Sequence, residues 1–163
     1  MLIIIDSNII HCDYICNDFD IDNIKGLVIK DTADNGQMYN KTIRYMDNKT
    51  TVDNNLIQLV LEEKNYVGKV INYIINHLRY GTNVIILKGT EISKCENIYP
   101  SDVSKGISRL IKLNIIIRIK DIDKYKDCKN ISNNMFVVNH NFIFRGNIKQ
   151  LIKDFEEQKQ QIR

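Results

Sequence analysis

Residues 99–114, which read YPSDVSKGISRLIKLN, decide the fold because they carry the pattern of a helix with two unlike faces. Pro100 precedes Ser101, and we predict that Ser101 is the N-cap because serine is favoured at that position. One face repeats apolar residues at the spacing of a buried stripe: Val103, Ile107, Leu110 and Ile111. The other face is short, polar and basic: Ser101, Ser104, Lys105, Ser108, Arg109 and Lys112.

The polar face has one nearby acid, Asp102, and this shortage of acids is informative. Surface helices usually mix Glu with Lys and form pairs four residues apart. A helix that faces phosphates and base edges instead needs short polar and basic side chains. We therefore predict that the following residues enter the major groove of DNA: Lys105, Ser108, Arg109 and Lys112. Ser101 and Ser104 would contact phosphate or base near the helix start. A solvated helix that happens to lack acids is the alternative interpretation.

The segments around this helix predict a known order of elements. Residues 115–120 and 135–139 are rich in β-branched and aromatic side chains, which predicts two strands. Upstream, residues 64–79 predict an amphipathic helix, residues 82–87 a short strand, and residues 91–97 a short helix that turns Ile92 and Cys95 inward. Helix, strand, helix, turn, helix, strand, loop and strand is the order of a winged helix-turn-helix domain. We predict an α+β fold with this domain at residues 61–146.

The loop at residues 121–134 is predicted to be polar and to carry cations that contact DNA. We expect four side chains at or near it to lie along the DNA backbone or in the minor groove: Arg118, Lys120, Lys124 and Lys126. Asp121, Asp123 and Asp127 partly neutralise this charge. The alternative interpretation is a mobile loop that its charges keep soluble.

From about residue 65 onward the chain resembles the RepL-type replication proteins, which are winged-helix proteins of bacterial plasmids and some phages. The likeness lies in KVINYII at 69–75, VSKGISRLIK at 103–112, LNIIIRIK at 113–120 and MFVVNHNFIFRG at 135–146. His140 stands where the closing pattern of that family has proline, and the loop at 121–134 is longer than usual. The resemblance implies binding of double-stranded DNA in the replication or maintenance of a plasmid or phage genome. It also implies that the chain is not an enzyme and has no catalytic residue or cofactor.

Charge is divided unevenly along the 163 residues, although the net charge is only +3. Residues 1–60 hold five Lys/Arg and nine Asp/Glu, net −4, and the remaining residues carry net +7. This matches an acidic element beside a basic DNA-binding domain. We predict that residues 1–60 are β-rich, with strands at 1–5, 23–29 and 41–46 and a turn at 31–36, and that they are available to a protein partner. The strand at 1–5 would pair with the other two or with another subunit.

The sequence has no apolar run of the roughly 18 residues that a membrane span needs, and residues 1–5 lack the basic start of a signal peptide. We therefore expect a cytoplasmic protein of a bacterial host cell, with a virion as the other location. Residues 147–163 predict a C-terminal helix with an apolar stripe: Ile148, Leu151, Ile152 and Phe155. This stripe would serve either a homodimer or docking on the same domain.

Other functions remain open at this point. A transcriptional regulator would use the same DNA-binding module, and an assembly protein, for example of a virion, would use the fold for protein contacts. LIIIDSN at residues 2–8 resembles the opening of PIN-type nucleases, in which Asp6 would hold a divalent metal. Five further carboxylates could complete that site: Glu62, Glu63, Asp102, Asp121 and Asp123. A zinc site would need His11, Cys12 and Cys16 with Cys128 or His140. We favour no metal and four reduced cysteines, with Cys95 near the core.

Overall fold

A computed structural model describes residues 50–129 and 131–161, together with strand residues 4–5, 8–9, 28–32 and 38–42. The described part has an α+β fold with five helices. The helices are α1 (Asn54–Glu62), α2 (Asn65–His77), α3 (Gly89–Glu96), α4 (Pro100–Lys112) and α5 (Ile148–Gln161). The strands are β1 (Ile4–Ile5), β2 (Asn8–Ile9), β3 (Val28–Thr32), β4 (Met38–Thr42), β5 (Thr51–Val52), β6 (Val84–Ile86), β7 (Ile116–Arg118), β8 (Met135–Val138) and β9 (Ile143–Phe144).

Three of the strands form an antiparallel sheet in the order β6-β8-β7. Successive residues of a strand face opposite sides of its sheet. Phe136 and Val138 of β8 therefore belong to a large core that is shared with α1, α2, α3 and α4, whereas Val137 between them belongs to a second, smaller core. The two cores bury both faces of the sheet.

The helix predicted at 64–79 and the strands predicted at 82–87, 115–120 and 135–139 are confirmed with shorter bounds. The prediction that Ser101 is the N-cap of α4 is wrong, because Pro100 is already the first helical residue and Tyr99 is the cap. Proline suits that position since its missing N–H would have no partner within the helix. At the other end Asn114 adopts a left-handed conformation (φ 58°), and the N–H of Ile115 donates to the carbonyl of Leu110 at 3.0 Å. This is a common helix stop.

Helix α3 confirms the prediction for Ile92, which is fully buried, and contradicts the one for Cys95, which is exposed. The buried side chains of α3 are Ile92 and Glu96, which lie about one helical turn apart. Glu96 is buried, and its two carboxylate oxygens each accept a hydrogen bond from Nδ2 of Asn72 at 3.1 Å. The polar partner from α2 therefore lets a carboxylate occupy the position that a hydrophobic side chain would normally take.

The loop between β7 and β8 is predicted from the sequence to be polar, but the structure shows that it also contains buried apolar side chains. It begins with two short 3₁₀ turns, Ile119–Asp121 and Asp123–Tyr125. Its buried side chains form the second core under the sheet: Ile119, Ile122, Tyr125 and Ile131. The β7–β8 loop thus covers one face of the sheet with its apolar side chains, while Lys124, Lys126 and Lys129 are exposed.

Among the described residues before 50, four strands form two antiparallel pairs, whereas the predicted β-rich element of residues 1–60 ends in a helix that begins at Asn54. β3 pairs antiparallel with β4, although both lie a few residues from their predicted positions, and β1 pairs with β2. Ile4–Ile5 is therefore paired with its immediate neighbour in sequence, rather than with the other predicted strands. Thr51–Val52 pairs with β9, and Leu56 is buried in the large core, so residues after 50 pack with the domain that follows them.

Helix α5 turns Leu151 and Phe155 inward, and both side chains are buried within the chain. The ring of Phe155 meets that of His140 edge to face, with 6.5 Å between the ring centroids. These contacts agree with docking on the same domain, and they leave dimer packing through Leu151 and Phe155 without support.

Candidate nucleic-acid interface

The exposed face of α4 forms one wall of an open groove with a volume of about 510 Å³. Helix α4 contributes Ser104, Lys105, Ser108, Arg109 and Lys112 to this wall. The opposite wall comes from the joint between α1 and α2 and consists of Glu63, Lys64 and Tyr66. We call this feature the α4 groove.

The position of Gly106 explains why the two walls lie so close together. Gly106 is buried where α4 crosses α2. A Cβ atom at this position would lie 2.8 Å from Cγ2 of Val70 and 3.2 Å from the carbonyl oxygen of Tyr66. Both distances are shorter than ordinary van der Waals contact, so only glycine allows this approach without adjustment. The same approach brings the polar face of α4 next to the start of α2.

The joint between α1 and α2 is held by its own backbone. The N–H of Glu63 donates to the carbonyls of Leu59 and Val60 at 3.2 and 3.3 Å, which ends α1. Lys64 follows as the N-cap of α2, and its carbonyl accepts from the N–H of Val67 at 2.9 Å. The side chains of Glu63 and Lys64 therefore start from a fixed turn.

An ion pair connects the two walls. Nε and Nη2 of Arg109 donate to the same oxygen, Oε1 of Glu63, at 3.0 and 2.7 Å. These hydrogen bonds to Arg109 lower the pKa of the Glu63 carboxyl below its ordinary value, and they raise the pKa of the Arg109 guanidinium. The pair stays accessible to solvent, since the Arg109 side chain is 46% exposed.

The α4 groove as a whole is positively charged. Its lining contains four cationic side chains and one carboxylate: Lys64, Lys105, Arg109 and Lys112 against Glu63. Lys105 also approaches Asp102 of its own helix, with Nζ 3.4 Å from Oδ1. A concave surface with an excess of one charge concentrates ligands of the opposite charge. An anionic ligand is therefore the natural occupant.

The structure brings together five of the six residues predicted on α4. Ser101 is the exception, because it is exposed at the first turn of the helix and does not line the α4 groove. Ser104 lines it, and its hydroxyl donates to the carbonyl of Pro100 at 3.3 Å. Ser108 and Lys112 are exposed along the same wall.

The four predicted cations of the β7–β8 loop lie outside the groove lining. Arg118 is occupied within the fold: Nε donates to the carbonyl of Asn133 at 2.9 Å, and the guanidinium lies 5.2 Å from the ring centroid of Phe136. Lys120 is half-buried, whereas Lys124 and Lys126 are exposed. Arg118 thus holds the loop against the sheet, and Lys124 and Lys126 remain accessible.

Lys64 and Tyr66 are not among the residues predicted from the sequence, and Glu63 is predicted there only as a metal ligand. A charged Glu-Glu-Lys run at 62–64 just before an amphipathic helix marks the joint, so the segment itself could have been recognised. Its closeness to α4 depends on the crossing at Gly106, which is a tertiary contact.

Within residues 50–129 and 131–161, no three His, Cys, Asp or Glu side chains lie together as a metal site requires. Asp6, His11, Cys12 and Cys16 lie outside the described residues, so the nuclease and zinc hypotheses stay hypotheses. In the same described part, no helix combines the length and the apolar character needed to cross a membrane.

Comparison with known proteins finds no match to this chain among protein-family models, curated proteins or solved structures. The resemblance to the RepL-type proteins therefore stays a prediction.

Proposed function

We propose that the chain binds double-stranded DNA as a winged helix-turn-helix protein and acts in the replication or maintenance of a plasmid or phage genome. Helix α4 would occupy the major groove, and the β7–β8 loop would lie along the neighbouring backbone as the wing. The replication role rests on the resemblance stated above, whereas DNA binding rests on the site.

The order of elements supports the winged-helix assignment. Helix α2, strand β6 and helices α3 and α4 are followed by the β7–β8 hairpin, and all three strands share one sheet. Only residues 97–99 separate α3 from α4. This turn is fixed by Asn97 in a left-handed conformation (φ 52°) and by the hydroxyl of Ser93, which donates to the carbonyl of Ile98 at 2.6 Å. A short, rigid turn between two helices is what a helix-turn-helix unit needs to present its second helix.

The α4 groove is the observation that carries the proposal. Its exposed side chains are lysines, an arginine and serines, which donate hydrogen bonds to phosphates and base edges. Lys64 extends the basic surface beyond α4 to the start of α2. Bulk charge alone would be a weak argument, since the whole chain carries only +3.

Binding to duplex DNA across a range of salt concentrations tests the proposal. The duplexes are random sequence and fragments of the replicon that encodes the chain. If five lysines contact phosphates, log K should fall against log[salt] with a slope of about −4.5, and one replicon fragment should be preferred. The five lysines are Lys64, Lys105, Lys112, Lys124 and Lys126. Absence of binding at low salt would refute DNA binding altogether.

Two substitutions distinguish base-specific recognition from electrostatic attraction to the DNA phosphates. Arg109→Ala should cost about 1 to 3 kcal/mol and loosen the preference for one base. Lys124→Ala should weaken binding to every sequence and reduce the slope by about 0.9. Lys149→Ala is the matched control, because it removes an exposed lysine that does not line the α4 groove. Equal effects of Arg109→Ala and Lys124→Ala on all sequences would contradict this division.

An assembly protein is the second candidate, and a feature of α1 favours it. Ile57 and Leu61 lie one turn apart on this helix and are 50% and 81% exposed. Neighbouring exposed apolar side chains commonly mark a protein-contact surface. Failure to bind DNA, together with tight association with a protein that Leu61→Ser abolishes, would replace the first proposal by this one.

A further inference from the structure

The ion pair between Arg109 and Glu63 leaves a defined part of the guanidinium available. Glu63 accepts from Nε and Nη2, which form the side-on edge of the group. Within the described part of the chain, Nη1 of Arg109 donates no hydrogen bond. The end-on edge, made of Nη1 and the second hydrogen of Nη2, therefore remains free to donate two parallel hydrogen bonds.

We infer that Glu63 is a positioning residue that holds Arg109 so that its end-on edge contacts the O6 and N7 atoms of a guanine. This inference rests on the proposed DNA binding and adds to it the base that is recognised and the residue that enforces the choice. Arginine with guanine is the commonest base-specific contact in the major groove, because the two parallel donors match the two acceptors. Glu63 would not touch the base.

Both partners start from backbone that is fixed, which is what positioning requires. Glu63 ends α1 through two backbone hydrogen bonds, and Arg109 lies one turn after the close contact at Gly106. A long arginine side chain on an open surface would otherwise sample many rotamers, and that freedom would be lost on binding. Holding it in advance lowers this cost for the one base that fits.

A purely structural role is the competing explanation, and the location makes it a serious one. The last turn of α1 contains no basic residue. Two glutamates lie at this negative end of the helix dipole, so Arg109 supplies a cation where one is favourable. A structural pair would affect stability and would leave base preference unchanged. The two explanations therefore differ in a measurable way.

The experiment compares Glu63→Gln with Glu62→Gln, which removes the same charge from the adjacent, exposed position. Duplexes selected from a random pool identify the base pair at which Arg109→Ala abolishes a preference for guanine. At that position the affinity ratio of guanine to adenine is measured for each variant, and 7-deazaguanine tests the need for N7. Thermal unfolding reports structural effects separately.

If Glu63 positions Arg109, Glu63→Gln should lower the guanine ratio roughly three- to tenfold, less than the roughly 5- to 150-fold expected for Arg109→Ala. Its affinity for random duplex should stay equal or rise, because a carboxylate that repels phosphate is gone. Glu62→Gln should keep the wild-type ratio. In the Arg109→Ala background, Glu63→Gln should change the ratio no further.

Other outcomes overturn the inference and leave DNA binding intact. One is an unchanged or increased ratio in Glu63→Gln, which would make Glu63 a structural partner or a competitor of DNA. Another is an Arg109→Ala variant that weakens all sequences equally. If neither the wild type nor any variant binds duplex at low salt, the proposed function itself fails and the inference fails with it.

Discussion

Substitution of Gly106 tests how closely α4 packs on α2. A Cβ at this position has two opposite effects on the free energy of unfolding: it favours the helix, and it overpacks the crossing. Gly106→Ala adds a single Cβ at the crossing of the helices. In a helix interior alanine is favoured over glycine by about 1 kcal/mol. Without tertiary contact the substitution would therefore stabilise the protein.

The contacts at the crossing reverse that expectation. The added Cβ would lie 2.8 Å from Cγ2 of Val70 and 3.2 Å from the carbonyl oxygen of Tyr66. Val70 is fully buried, and β-branched side chains in helices have little rotational freedom. The carbonyl belongs to the backbone of α2, which moves only with the helix. Overpacking of this kind costs about 1 to 3 kcal/mol, so we expect net destabilisation of about 1 kcal/mol. For a protein of this size that lowers Tm by roughly 2 to 4 °C.

The assay is urea and thermal unfolding of Gly106→Ala beside a matched control, Gly89→Ala. A Cβ at Gly89, the first residue of α3, would meet no atom within 4 Å. That control should therefore be neutral or stabilise the protein by at most about 0.5 kcal/mol. In a Val70→Ala background the largest overlap is removed, so Gly106→Ala should become about 1 kcal/mol less harmful.

Stabilisation by Gly106→Ala as large as that by Gly89→Ala would refute the reasoning. So would an identical effect in the wild-type and Val70→Ala backgrounds, because the loss would then have another cause than contact with Cγ2 of Val70.

Two further predictions concern charged side chains. Arg109 keeps the pKa of Glu63 below its ordinary value, so the ionised carboxylate stabilises the fold at neutral pH, and this contribution disappears as the pH falls through the lowered folded-state pKa. An NMR titration of Arg109→Ala should show the pKa of Glu63 near its ordinary value, and an unchanged pKa would disprove the cause. Arg118→Ala removes the hydrogen bond to Asn133 and the contact with the Phe136 ring, which should destabilise the protein by about 1 to 2 kcal/mol. Limited proteolysis should cut this variant faster within residues 119–134 than Lys126→Ala, and equal cleavage rates would count against a role for Arg118 in holding the loop.

Helix α4 was predictable because its two faces differ in hydrophobicity, charge and side-chain size. Its apolar side chains repeat at helical spacing, and its polar side chains are short and basic. Helix α1 gave a weaker signal, because Leu56, Leu59 and Val60 pack in the large core while two further apolar residues, Ile57 and Leu61, are exposed. An apolar pattern that does not match one buried stripe cannot mark a helix clearly.

The apolar side chains of the β7–β8 loop also repeat in the sequence, but with a period of three residues and not with that of an α-helix or a strand. Ile119, Ile122 and Tyr125 are spaced three residues apart, and a 3₁₀ helix places such residues on one face. Lys and Asp fill the positions between them, which is why the segment resembles a polar loop. The second wall of the α4 groove had no signal of this kind, because no local pattern reports that Glu63 and Arg109, 46 residues apart, are neighbours.

Gly106 connects the stability of the core to the chemistry of the α4 groove. The residue that lets α4 approach α2 lies one turn before the residue whose guanidinium reaches the α1–α2 joint. Any change that pushes α4 away from α2 should therefore also lengthen the contact between Arg109 and Glu63. Gly106→Ala should raise the pKa of Glu63 toward its ordinary value as well as lower Tm, although the substitution introduces no charge. A variant that loses stability and keeps the pKa of Glu63 low would show that the ion pair adjusts independently of the helix crossing.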